Sequence, residues 1–511
     1  MNHRHIHLPL LIVLLAGCGT IKQGPTLESL SQRTVQIEQS VTIDADTSSV
    51  INAYESVATD EDSSLNIKAM HRLADAEMKQ IDELMEQGQK IDQARFDKPI
   101  KWYLEVLKRD PQYPQREALL YQLAHAYEQS GDSAKSIKAL QILSRDYPRS
   151  PRAVEAHFRR AEVLFQEQRF REAELSYAAV ITAGRSQRFT TFGTPLTALS
   201  YAGETPSGGS SPFYEQSLFK YAWAIYKQDR CIDSLDAFFV LLDLKLNRNL
   251  TPTELQELAF LARADRELVD DSFRAINLCI ATEGGAKALN IYLANKPPRV
   301  YEFLAYQKLA EHYLKQQLDL EAAEAYSAFW QRASWHPYAL LFQNQAIEIY
   351  TRLGLKEKII PAKRDFVQHY NDLEERWQNN EHSNYFEYLI RSDKELKATL
   401  QRQLELHLSD LASYYHATAQ SSKTSFDYKN TVLWYRAYLR HFPDSPKRAE
   451  MNLQLADALL ESGDYQNAAK EYEHVAYDLG NHDRAADAGY AALSTREKQH
   501  KTQEGDLHWD N

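Results

Sequence analysis

The sequence predicts an all-α fold: helix–turn–helix hairpins stacked into a solenoid, interrupted by two insertions. Three observations predict it. Apolar residues keep helical spacing from about residue 47 to about residue 497, beginning with Val50, Ile51, Tyr54 and Val57 at i, i+1, i+4 and i+7. Period-two alternation, the mark of a strand, is confined to Val35, Ile37, Val41 and Ile43. A fixed frame of residues recurs five times.

In the clearest copy, Leu123-Ala124 is followed by Tyr127 at +3 from the alanine, Gly131 at +7, Ser136 at +12, Leu140 at +16 and Pro148 at +24. The frame recurs at Ala161 (Leu164, Gln168, Ala173, Tyr177), Ala222 (Ile225, Asp229, Ser234, Phe238), Ala310 (Tyr313, Gln317, Ala322, Tyr326) and Ala456 (Leu459, Gly463, Ala468, Tyr472). Small residues at 0 and +12 let two antiparallel helices approach closely, and large ones at +3 and +16 fill the space to their neighbours. The +7 residue ends the first helix, and Gly131 and Gly463 suit a left-handed cap. The proline closes the second helix.

Weaker copies fill the gaps, giving about nine units. Met70 to Met78 pairs with Trp102-Tyr103-Leu104, closed by Asp110-Pro111. Ile347, Tyr350 and Gly354 form a degenerate unit, and Leu411-Ala412, Tyr415, Trp434-Tyr435 and Phe442-Pro443 another. Thr251-Pro252-Thr253-Glu254 reads as a helix start with a capping box, and Gly284-Gly285 as a break between helices. Ala485 to Leu493 reads as a terminal capping helix. The frame resembles the tetratricopeptide repeat, a helix–turn–helix unit of about 34 residues. That resemblance implies a right-handed superhelix whose concave side is lined by the first helix of each unit.

The segments divide as follows: a leader over 1–17, a tether over 18–46 and a first repeat array over 47–182. A Gly/Pro-rich insertion covers 183–213 and irregular middle repeats 214–370. A polar helical insertion covers 371–400, C-terminal repeats and their cap 401–497, and a disordered tail 498–511.

The leader combines Arg4 with the short apolar run Leu8 to Gly17, too short to cross a membrane. Leu15-Ala16-Gly17-Cys18 resembles the bacterial lipobox, where the chain is cut before the cysteine and the thiol is acylated. By the same resemblance, Gly19 rather than Asp after the cysteine implies sorting to the outer membrane of a Gram-negative cell. The body is then expected to face the oxidising periplasm, bound to outer-membrane lipid through acylated Cys18. There Cys231 and Cys279 can pair, or remain two buried thiols, since Cys279 lies in the apolar run from Ala275 to Ile280.

Composition excludes several functions. A net charge of −12 with no run of like charge argues against nucleic acid, whose phosphates need Lys and Arg. Three cysteines allow neither a disulfide framework nor a four-cysteine zinc site. No metalloprotease helix, phosphate loop, nucleophile elbow or dinucleotide fingerprint occurs. The expectation is no enzyme, no catalytic residue, no metal and no cofactor. The nearest enzyme-like pair is Glu461-Ser462, since superhelical lytic transglycosylases carry a catalytic Glu before Ser. It precedes the repeat turn Gly463-Asp464, where nothing apolar would raise a carboxyl pKa.

The expected function is therefore that of a scaffold for envelope proteins or peptides. Positions −6, −3, +1, +4 and +5 of the frame point away from the partner helix, toward the concave wall. They place Phe158 and Phe165 on one helix, Phe219, Trp223, Tyr226 and Lys227 on the next, and Gln307, Glu311 and Lys315 on a third. Aromatic anchors in a groove are typical hot spots for a bound peptide. The same aromatics can instead pack against the 183–213 insertion. The lipobox and repeats together resemble the repeat lipoproteins of the β-barrel assembly machine and of the Tol–Pal system. A polysaccharide-associated role is the alternative.

Overall fold

The structure, a computed structural model, describes residues 47–60, 65–183, 213–248, 250–370, 393–479 and 483–509. Cys18, the leader, the tether up to residue 46, the insertion over 184–212 and the polar segment 371–392 lie outside the described residues. Twenty-one α-helices and no strand occur among the described residues, in two compact units, 1–113 and 114–511. The division falls inside the stretch 47–182 that the sequence joins into one array.

In the first unit, α1 (Thr47–Ala58) packs against α2 (Asn66–Glu86), and α2 against α3 (Asp97–Arg109). Asn66 Nδ2 donates to the carbonyl of Ala58 at 2.7 Å and ties the end of α1 to the start of α2. Leu73, Ala74, Tyr103 and Val106 are fully buried between α2 and α3.

The second unit opens with regular hairpins: α4 (Arg116–Gln129) with α5 (Ser133–Asp146), α6 (Pro151–Gln166) with α7 (Phe170–Ala183), and α8 (Tyr214–Tyr226) with α9 (Cys231–Leu246). Then come the short α10 (Pro252–Glu257), α11 (Arg263–Thr282) and α12 (Ala286–Leu293). Regular pairing resumes with α13 (Glu302–Lys315) and α14 (Asp319–Arg332), followed by α15 (Pro337–Arg352) and α16 (Lys356–Tyr370). The chain finishes with α17 (Lys394–Ser422), α18 (Ser425–His441), α19 (Arg448–Glu461), α20 (Tyr465–Glu473) and α21 (Ala485–Trp509).

The +7 residue of each frame is left-handed: Gly131, Gln168, Asp229, Gln317 and Gly463 have φ of 83°, 62°, 60°, 60° and 85°. So is Gly354 of the degenerate unit, at 69°. In five of these six turns the next amide reaches back to the carbonyl of the +3 residue, as Asp132 does to Tyr127 (2.8 Å) and Asp464 to Leu459 (2.9 Å). That bond satisfies a carbonyl the helix end would otherwise leave open. Thr251 and Glu254 close a reciprocal capping box on α10. At the Gly284-Gly285 break, Gly285 has φ 66° and ψ −140°, a backbone conformation that favours glycine, and a Cβ there would also crowd the Tyr313 hydroxyl at 2.7 Å.

Helix α17 begins at Lys394, inside the stretch 371–400 read as a polar helical insertion, and runs on into the C-terminal repeats. The tail expected from 498 continues α21 to Trp509. Its residues are polar but favour helix, and Lys501 pairs with Glu497 one turn back at 3.1 Å.

The second unit holds two large apolar cores. One runs from Ala222 of α8 to Tyr350 of α15, the other from Leu340 of α15 to Ala492 of α21. Helix α15 contributes to both, with Phe342 and Ala346 in one and Leu340 and Ile347 in the other.

Candidate protein-interaction groove

The structure sets α6 and α8 side by side. Lys220 lies 3.5 Å from Glu162 and places its ammonium 5.2 Å from the centre of the Phe165 ring. Phe158 meets Tyr177 edge-on and stacks at 4.8 Å on Phe213, the last residue of the Gly/Pro-rich stretch. One predicted wall residue is thus partly covered by that insertion's end. Phe165 meets Phe170 edge-on at 5.2 Å.

Along α8 the aromatics form a ladder. Trp223 meets Phe219 at 6.3 Å and Tyr226 at 5.2 Å, and both Phe219 and Trp223 rest on the buried Phe238 of α9 at 6.0 Å. Phe219, Trp223 and Tyr226 remain half-buried, and the exposed Lys227 lies 6.0 Å from the Trp223 ring. The ladder is held from below by Phe238 and only half-buried among the described residues, the arrangement that lets aromatic anchors bind at low entropic cost.

The wall extends onto α4 through residues the sequence reading did not single out. Tyr121 donates to Glu155, which also accepts from Arg159 at 3.2 Å, and the Arg159 guanidinium lies 5.1 Å above the Tyr121 ring. Burial, reinforced by the bond to Glu155, pushes the Tyr121 hydroxyl up to about 12. The signal was present, because Tyr121 occupies −3 of the Ala124 frame.

The third predicted set behaves differently. Gln307 donates to Glu311 at 2.9 Å, both half-buried, while Lys315 is exposed. Helix α13 packs against α11 and α14, so these three residues form a stripe of their own.

An acid at +1 turns into its own hairpin, whereas Trp223, at +1 of the Ala222 frame, stays in the α8 ladder. Tyr177 at +16 donates its hydroxyl to Glu162 at +1, and Tyr472 to Asp457 in the same way. Asp75, just after Leu73-Ala74, accepts from Tyr103 of α3 at 2.9 Å. In the Ala310 frame the Glu311 charge acts on Tyr326, whose hydroxyl burial drives up to about 12. Glu162, Asp457 and Asp75 therefore lock their hairpins from within. Burial and the adjoining carboxylate hold Tyr177 and Tyr472 far above the ordinary tyrosine range. The acid at +1 and tyrosine at +16 were both visible in the sequence; the reach of the tyrosine across the hairpin was not.

Cys231, at the start of α9, and Cys279, in α11, are joined, with Cα atoms 5.6 Å apart. Glu461 ends α19, where it accepts from Gln420 at 3.1 Å and lies 3.3 Å from His416 Nε2. Among the described residues no group of His, Cys, Asp and Glu could hold a metal, and no helix is long and apolar enough to cross a membrane.

The tetratricopeptide-repeat family model matches residues 121–187 and 435–478. No curated protein matches the sequence. Among solved structures, the chain is similar to Naa15/Naa10 bound to HypK-THB, at 13% identity over 89% of this chain and 67% of that one, with a TM-score of 0.30. It is similar to the repeat domain of P58(IPK), at 13% identity over 83% and 99% of the two chains, TM-score 0.17. It is also similar to yeast Tom70, at 12% identity over 84% and 96%, TM-score 0.17. The matched segments begin in α4 and in α18, each spanning a helix turn with a left-handed glycine, Gly131 or Gly463. These segments match the tetratricopeptide-repeat model and lie within a longer array that is all-α among the described residues.

Proposed function

We propose that the chain is a non-enzymatic scaffold that captures partner proteins on the α6–α8 wall, in assembly or maintenance of a cell envelope. The observation that carries this reading is the half-exposed ladder Phe219–Trp223–Tyr226, seated on Phe238 and edged by Lys227. The tetratricopeptide segments support a protein partner, since stacked hairpins present an extended binding face. The same reading anchors the chain through acylated Cys18 to an outer membrane, facing the periplasm. Its support is the lipobox-like run Leu15-Ala16-Gly17-Cys18 and the Cys231–Cys279 bond, a cross-link suited to an oxidising compartment.

The test is crosslinking in intact cells followed by capture through the C-terminus. Envelope proteins are expected among the products; glycan fragments alone would favour the polysaccharide reading. Trp223→Ala should weaken capture by about thirtyfold, a hot-spot effect, with the helical circular-dichroism signal unchanged. Lys227→Glu, on an exposed residue, gives a second variant that does not disturb packing. Undiminished capture by both would refute the groove.

A further inference from the structure

The chain carries net negative charge, yet one stretch reverses the sign. Between residues 394 and 448 there are nine Lys and Arg against five Asp and Glu. No run of like charge marks it in the sequence, because the cations are spaced along a helix rather than adjacent.

On α18, Phe426, Lys429, Leu433, Arg436 and Arg440 are all exposed. Their three- and four-residue spacing confines them to an arc of about 80° and a length of about 21 Å. The opposite face holds Tyr428, Val432, Tyr435 and Tyr438, all buried in the second core or beside it. Phe426 is 72% exposed and Leu433 62%, among the highest values for large apolar side chains in the described residues. Lys429 and Arg440 form no ion pair with any described residue, and Arg436 acts only at a distance, on Glu471 of α20. Lys423, exposed in the left-handed turn before α18, extends the basic stripe past Phe426.

An exposed phenyl ring and leucine interleaved with unpaired cations fit one kind of surface: apolar just below, anionic above. We propose that the outward face of α18 docks on an anionic phospholipid surface, with Phe426 and Leu433 entering the interface and Lys429, Arg436 and Arg440 meeting headgroup phosphates. Charge complementarity selects the occupant, because a neutral bilayer would leave three cations without counter-charge. This contact is separate from Cys18 and from the α6–α8 wall. It would turn the body of the array toward the membrane wherever the chain is tethered.

The test uses the full chain carrying Cys18→Ser, so that no acyl chain contributes. Vesicles of equal parts phosphatidylglycerol and phosphatidylcholine are compared with vesicles of phosphatidylcholine alone. The protein should sediment with the anionic vesicles far more than with the neutral ones, and less as salt screens the headgroups. Combining Lys429→Glu, Arg436→Glu and Arg440→Glu should weaken that binding by about a hundredfold. Combining Phe426→Ser and Leu433→Ser should weaken it severalfold at unchanged charge. All five side chains are exposed, so circular dichroism should stay as in the parent. Equal binding to both vesicles, or binding unmoved by the triple charge reversal, overturns the proposal. Failure to bind either vesicle, with capture of an acidic helical peptide instead, also overturns it and assigns the stripe to a protein partner.

Discussion

The hairpins over 116–183 and those over 214–370 share one frame but are held together by different means. In the first stretch a buried tyrosine locks its own hairpin, Tyr177 reaching Glu162 fifteen residues away, and the links between hairpins, such as Tyr121 to Glu155 and Arg152 to Glu117, are only part-buried or exposed. In the second the polar locks cross between units. Asp243 of α9 accepts both arms of the Arg299 guanidinium, at 2.8 and 3.2 Å, and the Tyr301 hydroxyl, at separations of 56 and 58 residues. Two turns earlier on α9, Asp236 accepts from Tyr292 at 2.7 Å and Lys296 at 2.8 Å. Together these acids pin the connection between α12 and α13. The Cys231–Cys279 bond adds a covalent tie from α9 to α11. The family model matches the first stretch and passes over the second, yet the second contains the larger continuous core. Fidelity to a repeat motif and depth of packing are therefore distinct properties. A unit that departs from the motif needs long-range ties to fix what the motif fixes locally.

That contrast can be broken by substitution. Asp243→Ala should cost about 4 kcal/mol, because it leaves the buried Arg299 guanidinium without its carboxylate and the Tyr301 hydroxyl with only the longer bond to the Phe239 carbonyl, at 3.3 Å. The loss would be read as a lowered urea midpoint, with hydrogen exchange rising from α9 through α13. Tyr177→Phe should cost only about 1 kcal/mol, since Glu162 keeps partial solvent access and Lys220 nearby. Its exchange signature should stay within α6 and α7. Equal costs, or an Asp243→Ala signature confined to α9, would erase the distinction between local and cross-unit locks. The smallest effect concerns the turns, which both stretches share. Gln317→Gly, at φ 60°, should stabilise by about 0.5–1 kcal/mol by relieving a left-handed side-chain conformation. A destabilising result would show that the Gln317 side chain contributes to the turn beyond its backbone.

The recurring frame and the turns were legible before any coordinates, because both depend on residues within one hairpin. A small residue must occur where two helices touch, and a left-handed residue where the first one ends. The candidate groove was legible in part. Phe219, Trp223 and Tyr226 lie together on α8 as their spacing requires. The engagement of Glu162 by Tyr177 was not legible, because a helical wheel assigns direction to a Cβ but not the reach of a tyrosine on the facing helix. Tyr121 and Arg159 join the wall only where α4 and α6 lie side by side, which no single helix encodes.

By itself, then, the sequence determined that the chain is helical, where each hairpin turns and which residues are small enough to let helices meet. Those are contacts across a handful of residues, and spacing alone specifies them. Only the tertiary structure decided that Asp243 would hold Arg299, that Cys231 would join Cys279, and that Phe426 and Arg440 would share a face left exposed among the described residues. Each of these depends on which helices become neighbours. That choice follows from burying the most apolar surface over the whole unit, a sum to which distant residues contribute as much as adjacent ones.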